Sequence, residues 1–220
     1  MKRSLKSSIK SLNILGILLA FLVLCVIMAI ASPAFLKQTN LLNILQQISI
    51  NFTIAIGMTF VIASGGIDLS VGSILSLSAI FTALCMKQNI PVWLAILVGL
   101  LSGILMGLIN GALIHFTGIN AFIITLGTSF LYRGLALIVT RGTPVSKLPA
   151  AYRAFGGGDI FQVESGVYMA LLVLLLSIPL LYKKRWGHYI TTLGGNPVAL
   201  RRCGVRTGAW RISTFAVMGF

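Results

Sequence analysis

Charge is scarce in this sequence. Only 9% of the 220 residues are charged, whereas soluble domains contain about 25%. Hydrophobic residues account for 57% of the chain before its 23 glycines are counted, and the mean hydropathy is +1.00. So small a polar surface cannot cover an apolar core of this size in water. The composition therefore excludes a soluble globular domain and indicates an integral membrane protein.

Acidic residues are the rarest charged type, with three Asp and Glu against 17 Lys and Arg. The resulting net charge of +14 could suit nucleic acid, but the basic residues flank apolar runs, as the positive-inside rule describes. They concentrate in the amino-terminal tail and in residues 183–211. We therefore predict no nucleic-acid partner and expect membrane lipid beside the basic segments.

The sequence also lacks the motifs of a nucleotide site, a metal site or a disulfide framework. No GxxxxGK[ST] motif occurs, and Gly is nowhere followed by Lys. The His and Cys residues show no metal-ligand spacing, and three cysteines form no disulfide framework. We expect no metal, no cofactor and no catalysis by this chain. If ATP drives the protein, the nucleotide site must be on another chain.

Six apolar runs are predicted to be membrane spans, which need about 20 residues each as helix. They are Leu12–Ala31, Leu41–Ala63, Val71–Met86, Val92–Ile114, Ile119–Val139 and Val167–Tyr182. A seventh run, Ile212–Phe220, has only nine residues when the sequence ends, so we expect a carboxyl-terminally incomplete piece of a longer protein. The predicted fold class is all-α, a polytopic transmembrane helix bundle of six spans plus the start of a seventh. A single domain is predicted over residues 1–220.

The distribution of charge predicts the orientation. The amino-terminal tail carries four basic residues and no acid, and Lys183–Arg211 carries seven and no acid. Both are predicted to be cytoplasmic, which agrees with an even number of spans between them. The loop Thr140–Gly166 carries three basic and two acidic residues and is expected outside.

A polar break, SGGIDLS (Ser64–Ser70), separates two of the apolar runs. The run after it, Val71–Met86, would be about 24 Å long as a helix, which is short of a hydrocarbon core of roughly 30 Å. We therefore expect the break to lie at membrane depth, where irregular backbone must be buried in protein or line a wet cavity. Gly65 and Gly66 would supply the backbone freedom.

Asp68 within the break has two interpretations. It stands where a helix N-cap belongs, with its carboxylate placed to accept the N–H of Ser70 or Val71. Alternatively, the break lines a solute pathway that Asp68 or Ser70 faces, because an ionisable group inside a membrane is a functional-site hypothesis by default. The candidates for such a pathway are Asp68, Gly65, Gly66, Ser70, Asn43, Gln47 and Asn51.

The last three of these candidates are amides on the preceding span. Together with Gln46, they share one helical stripe, because their spacings are three, four and eight residues. Amides on one side of a membrane helix either lock neighbouring helices together or line a path for a hydroxyl-rich solute.

The fourth span carries a ridge of glycines at every fourth residue: Gly99, Gly103, Gly107 and Gly111. Small residues at this spacing let another helix backbone approach closely. The ridge suits helix packing, either within one fold or at a subunit interface. Asn110, beside the ridge, suits an interhelical hydrogen bond or a place in the solute pathway.

Three blocks of sequence resemble one known family, in the same order. They are GMTFVIASGGIDLSVGSILSLSA (Gly57–Ala79), ITLGTSFLYRGLALIVTRGTPV (Ile124–Val145) and GHYITTLGGNPVALRRCGV (Gly187–Val205). The chain resembles permease subunits of bacterial ribose-type sugar ABC importers. The resemblance implies a non-enzymatic membrane subunit that moves a sugar or sugar-like solute through the bacterial inner membrane. It also implies an ABC ATPase, a second permease subunit and a periplasmic or extracellular solute-binding protein as partners.

The third block falls in residues 183–211, which the resemblance implies is a cytoplasmic loop that couples the permease to the ATPase. Gly194, Gly195 and Asn196 are expected to break the chain there. Asn196 would be the N-cap and Pro197 the first residue of a short helix. The coupling candidates are Gly194, Gly195, Asn196, Pro197, Ala199, Arg201, Arg202 and Gly204, the last of which would end the helix. Alternatively, the helix lies on anionic lipid, which its arginines would suit equally well.

Two other functions stay open at this point. Asp68 could be the proton or sodium site of an ion-coupled secondary transporter, since such proteins also use discontinuous helices. The other open function is that of a non-transporting fragment that only assembles partner proteins. The residues do not name the sugar.

Overall fold

The computed structural model describes residues 2–146, 148–152, 158–160 and 163–220, and the side chains among them from residue 15 onward except 159 and 160. The helices are α1 (Lys2–Ala31), α2 (Gln38–Ala63), α3 (Val71–Lys87), α4 (Val92–Thr117), α5 (Ala121–Thr140), α6 (Ser165–Tyr182), α7 (Arg185–Gly195), α8 (Pro197–Arg202) and α9 (Thr207–Gly219). Two short strands, β1 (Asp159–Ile160) and β2 (Val163–Glu164), pair antiparallel before α6. The predicted all-α class of a polytopic membrane protein is confirmed.

The predicted spans coincide with helices. Among the described residues, four helices are long and apolar enough to cross a membrane, namely α2, α4, α5 and α6. Leu15–Ala31 of α1 and all of α3 are apolar but shorter. The fifth predicted span begins too early, because Gly118 adopts a φ of 69° and Asn120 caps α5, its Oδ1 accepting the Phe122 amide at 3.0 Å.

The chain divides into two compact units, Met1–Gln47 and Ile48–Phe220. The first unit contains α1 and the beginning of α2, joined by a turn in which the Asn40 side chain donates to the Phe35 carbonyl at 2.9 Å. The described side chains of α1 are apolar and mostly exposed, which suits contact with lipid. The single domain over residues 1–220 stays a prediction.

In the second unit, α4 is the central helix. Helices α3 and α9 pack against it most extensively, and α5 packs against α3 and α4. The glycine ridge of α4 makes this possible, because a Cβ at Gly103, Gly107 or Gly111 would overlap the backbone of α9. A Cβ at Gly99 would overlap Thr82 of α3. The ridge therefore lies against helices of the same chain.

Three apolar clusters fill the space between these helices. The first cluster joins α2, α4, α9 and the start of α5, with the members Val61, Ile114, Ala121, Phe215 and Met218. A second cluster joins α3, α4 and α5, with the members Ile74, Leu77, Met106, Tyr132 and Ala136. The third joins α2 to α7, with the members Ile56, Phe60 and Ile190. The clusters hold the polar break at the end of α2 between packed helices.

The basic segment Lys183–Arg211 differs from the predicted loop, because it is mostly helical. No helix is predicted from its charged pattern over residues 185–195, yet α7 fills them and buries Gly187, Ile190 and Leu193. The spacing of three residues between these buried positions fits one helical face. Within the predicted break Gly194–Asn196, Gly194 and Gly195 are still the last residues of α7, and the chain leaves the helix at Asn196.

Candidate functional site

The break after α2 begins with a glycine in the left-handed conformation. Gly65 has a φ of 81°, which costs residues with a Cβ free energy but suits glycine. The amide of Gly66 donates to the Val61 carbonyl at 3.0 Å, and the amide of Gly65 donates to the Ile62 carbonyl at 2.9 Å. These two bonds form the Schellman motif that satisfies the last carbonyls of a helix. The predicted need for backbone freedom at Gly65 therefore matches the geometry.

Asp68 binds Ser70 twice through one carboxylate oxygen. Its Oδ1 accepts the Ser70 amide at 2.8 Å and the Ser70 hydroxyl at 2.6 Å. The hydrogen bond expected from the Ser70 amide is therefore present. However, the N-cap of α3 is Ser70 and not Asp68. Helix α3 begins only at Val71, after the turn that the Asp68–Ser70 hydrogen bond closes. The Ser70 hydroxyl donates to Asp68 and does not cap a backbone amide of the helix.

A buried chain of hydrogen bonds continues from Ser70 into two other helices. The Asn110 amide group of α4 donates to the Ser70 hydroxyl oxygen at 2.7 Å. The Tyr132 hydroxyl of α5 is 3.2 Å from Asn110 Oδ1 and 3.1 Å from the Met106 carbonyl, and it can donate to either. All four side chains of the chain from Asp68 to Tyr132 are at most 3% exposed. Asn110 thus forms the interhelical hydrogen bond, in contact with the break.

Thr125 of α5 holds the break from a second direction. Its hydroxyl oxygen accepts the Leu69 amide at 3.1 Å, while its hydroxyl donates to the Ala121 carbonyl at 2.7 Å. Thr125 itself is fully buried. The backbone that follows Asp68 is therefore attached to α5, a helix that is distant in sequence.

The other carboxylate oxygen, Asp68 Oδ2, is buried without a hydrogen-bond partner among the described residues. Buried polar atoms without a partner are rare and call for an explanation. The described part of the chain holds no group of three or more His, Cys, Asp or Glu that could bind a metal ion. The described network can therefore form hydrogen bonds around the carboxyl group of Asp68.

The amides predicted for the same pathway lie on exposed parts of α2. Asn43 and Gln47 belong to the first unit, and Asn51 belongs to the second. Their role in a pathway stays a prediction.

Two cavities among the described residues of the second unit differ in polarity. The larger, about 530 Å³, is lined mainly by apolar side chains of α2, α3, α4, α6 and the end of α9, among them Phe60 and Val217. A hydroxyl-rich solute would lose hydrogen bonds there. The smaller, about 180 Å³, is lined by the break together with Asn120 and Arg211, with Ser64, Gly65 and Gly66 on its wall. The polar cleft therefore adjoins the break.

Helix α8 has the predicted local structure. Asn196 Oδ1 accepts the Ala199 amide at 2.9 Å, and Pro197 is the first helical residue. Gly204 adopts a φ of 77°, and its amide donates to the Arg201 carbonyl at 3.0 Å. Ala199, Arg201 and Arg202 are exposed, whereas Leu200 is buried. The segment offers a short outward-facing surface that carries positive charge.

Thr125 and Tyr132 are members of the network that the pattern of residues did not single out. They are seven residues apart, which is about two helical turns, so they share a face of α5. Two hydrogen-bonding side chains on one face of an apolar span are a usable signal. The partners of these side chains, however, come from α4 and the break, which only the fold brings near.

Comparison with known proteins places the chain among transport proteins. A family model described as "Branched-chain amino acid transport system / permease component" matches residues 40–220. The ribose import permease protein of Haemophilus influenzae is 36% identical over 206 residues, which cover 92% of this chain and 64% of that protein. In Escherichia coli, the D-allose transport system permease protein is 34% identical over 90% of this chain and 63% of its own length.

A third relative is the L-arabinose transport system permease protein of Escherichia coli, 34% identical over 93% of this chain and 62% of its own length. The chain thus spans less than two thirds of the length of these relatives. No solved structure gives a significant match to the chain.

Proposed function

The chain belongs to the family of branched-chain amino acid transport system permease components, and from this premise we propose that it is the membrane-spanning subunit of an ATP-driven importer for a sugar or sugar-like solute. The observation that carries the proposal is the identity of 36% to a ribose import permease over 92% of the chain. The family description speaks of amino acids, but the relatives above are named for ribose, allose and arabinose. We therefore favour a sugar.

The proposed partners follow from what an ATP-driven permease requires. An ABC ATPase would bind the chain from the cytoplasm, because the sequence has no GxxxxGK[ST] motif of its own. A second permease subunit and a periplasmic or extracellular solute-binding protein would complete the importer. Helix α8 is the proposed dock for the ATPase, with Ala199 on its exposed surface.

The proposed location is the bacterial inner membrane, with the amino-terminal tail and residues 183–211 in the cytoplasm. The charge distribution supports this orientation. Single cysteines at Ser146 and Thr207, in a background without native cysteines, would test it. We expect Ser146→Cys to react with an impermeant reagent in intact cells and Thr207→Cys to react only after lysis. Equal reaction of both in intact cells would contradict the orientation.

The proposed solute pathway passes the break. The unpartnered Asp68 Oδ2 supports this, because it is an acceptor that a solute hydroxyl could use. Its burial in the present conformation requires that the surrounding helices separate before a solute reaches it. Gly65, Gly66 and Ser70 would form the backbone of this part of the pathway. The exposed amides Asn43, Gln47 and Asn51 remain further candidates for it.

A second candidate function is ion-coupled secondary transport. The observation in its favour is again Asp68, whose buried carboxyl group has one oxygen without a hydrogen-bond partner among the described residues. A proton or a sodium ion could occupy that oxygen and drive solute movement. This candidate differs from the first in its energy source, which makes the two separable.

Uptake measurements test both candidates. Cells without sugar importers of their own would express the protein with its ATPase and binding protein and receive radiolabelled ribose, allose, arabinose or leucine. We expect uptake of at least one sugar that stops when ATP is depleted and continues when an uncoupler removes the proton gradient while ATP is maintained. Loss of uptake with the uncoupler would favour ion coupling. Uptake of leucine without any sugar would refute the proposed solute class.

A further inference from the structure

The break after α2 and the end of α7 meet backbone to backbone, although they are far apart in sequence. A Cβ built on Gly65 would lie 3.1 Å from Gly194 Cα and 3.5 Å from the Gly194 carbonyl oxygen. A Cβ built on Gly194 would overlap the Ala63 carbonyl oxygen and lie 2.8 Å from the Gly65 amide nitrogen. Because neither glycine has a Cβ, the two backbones can approach each other this closely.

Neighbouring contacts on the same side of the break make this meeting point rigid. A Cβ on Gly66 would lie 3.3 Å from the Phe215 ring, and Phe215 is 1% exposed. Phe215 belongs to α9, whose backbone lies against Gly107 of α4. The break is thus held between the end of α7 and the side of α9, so it cannot shift independently of them.

Gly194 is also attached directly to the proposed ATPase dock. It is followed by Gly195 and by Asn196, the N-cap of α8, whose amide donates to the Thr192 carbonyl at 2.8 Å. On either side of this junction, Leu193 and Leu200 are buried at 2% and 5% exposure. A displacement of α8 therefore has to move Gly194 with it.

We propose that Gly65 and Gly194 form a joint through which movement of α8 reaches the Asp68 network, so that both are positioning residues for transport. The proposal rests on the proposed role of α8 as the ATPase dock. Gly65 and Gly194 are themselves exposed, but their backbones touch with no side chain between them, and the adjacent Ser64 and Leu193 are buried. A displacement of one backbone therefore meets the other directly, and the packed residues beside it transmit the strain. A push on α8 would move Gly65, then the turn of Asp68 on Ser70, and with it the start of α3 and Asn110.

This route differs from transmission along the spans that flank α8. It joins α8 to the break across space and bypasses the length of α6 and α9. It also explains why glycine occupies both positions, although Gly194 is helical and needs no positive φ. The glycine at 194 is required by the approach of Ala63 and Gly65.

The test substitutes Gly194→Ala in the permease reconstituted in proteoliposomes with its ATPase and binding protein. The measured quantity is the amount of sugar transported per ATP hydrolysed. We expect the ATPase to co-purify normally and the ratio to fall severalfold. The control is Gly127→Ala, a helical glycine of α5 whose Cβ would meet nothing within 4 Å. A normal ratio in Gly194→Ala would overturn the joint.

A second pair of variants approaches the contact from its other side. Gly65→Ala places a Cβ against Gly194 at a φ of 81°, whereas Gly142→Ala carries the same kind of strain at a φ of 67° with nothing within 4 Å. We expect the transport ratio to fall severalfold in the first and to fall much less in the second. Equal losses would mean that backbone strain alone is responsible, and the joint would be refuted.

The unmutated complex provides a measurement that does not depend on the folding of a variant. Hydrogen exchange of residues 64–70 is compared between the nucleotide-free complex and the complex trapped with a non-hydrolysable ATP analogue. We expect exchange in the break to change together with that of α8. A change confined to α8 would refute the joint. Absence of any ATP-dependent uptake by the wild-type complex would instead refute the proposed function, so the two failures are distinguishable.

Discussion

The break Ser64–Ser70 and the segment Gly194–Val205 are built from the same local parts. Each contains a Gly–Gly pair and an Asx residue that accepts a backbone amide, and each uses a glycine with positive φ at the end of a helix. In the first segment the Asx residue and the Ser70 that it binds are buried, and the segment is hydrogen-bonded to α4 and α5. In the second, they are exposed and satisfied almost wholly by neighbouring residues of the chain.

The difference lies in what else each Asx side chain supports. Asp68 is 1% exposed and forms one end of a chain of side chains from the break, α4 and α5. Asn196 is exposed and contributes one capping bond to α8. A capping residue that is exposed can be replaced at the cost of its own hydrogen bond. A buried capping residue also determines whether its partner side chains keep their own hydrogen bonds.

The largest loss of stability is expected from Asn110→Leu. This change removes the amide that donates to the Ser70 hydroxyl oxygen and one of the two acceptors of Tyr132. Each buried hydrogen bond that is lost costs about 0.5–1.5 kcal/mol. Thermal unfolding in detergent would show a lowered Tm. The milder variant Tyr132→Phe removes only one hydroxyl and should have a smaller effect. An unchanged Tm in Asn110→Leu would contradict the structural importance of the network.

A large loss of transport with little loss of protein is expected from Asp68→Asn. The neutral amide can still accept the Ser70 amide through its carbonyl oxygen, so the turn should persist. The charge on the unpartnered oxygen, however, is gone. Sugar uptake and membrane abundance would be measured in parallel in the same cells. Normal uptake would leave Asp68 with a structural role and remove it from the proposed pathway.

In the exposed segment, the expected effects concern docking and not folding. Ala199→Trp places a bulky side chain on the outer face of α8 and should prevent co-purification with the ATPase while membrane insertion is intact. The matched variant Arg201→Gln with Arg202→Gln should keep the ATPase and lose lipid affinity, by about 1 kcal/mol per charge near the surface. Normal ATPase binding and stimulation by Ala199→Trp would show that α8 is not the dock.

The smallest effect is expected from Asn196→Ala, which removes one exposed cap and costs about 1 kcal/mol. Hydrogen exchange should accelerate in α8 and remain unchanged in α3 and α4. Asn196→Asp keeps a side-chain acceptor and serves as the control. If Asn196→Ala lowered the stability of the whole bundle as much as Asn110→Leu, the contrast between the exposed and the buried segment would be wrong.

Several features of the site were predictable because they depend on residues close in sequence. The start of α8 at Asn196 and Pro197, and its end near Gly204, follow from capping chemistry that acts within one turn. The hydrogen bond from the Ser70 amide to Asp68 is of the same kind. Of the two interpretations of Asp68, the N-cap position itself is wrong, because α3 begins at Val71 and its N-cap is Ser70. The Ser70 hydroxyl donates to Asp68 and accepts from Asn110 of another helix, which the local sequence does not reveal.

The sequence by itself determined the class of the protein, the positions of its apolar helices and the glycines that allow close packing. Composition and periodicity act locally along the chain, so they are visible without the fold. Only the tertiary structure decided that the ridge of α4 lies against α9, that Asn110 and Tyr132 reach the Asp68 turn, and that Gly194 meets Gly65. These contacts depend on which helix faces pack against each other. Several apolar faces of similar composition could pack at the same position. The choice among them is made by the packing of the whole bundle.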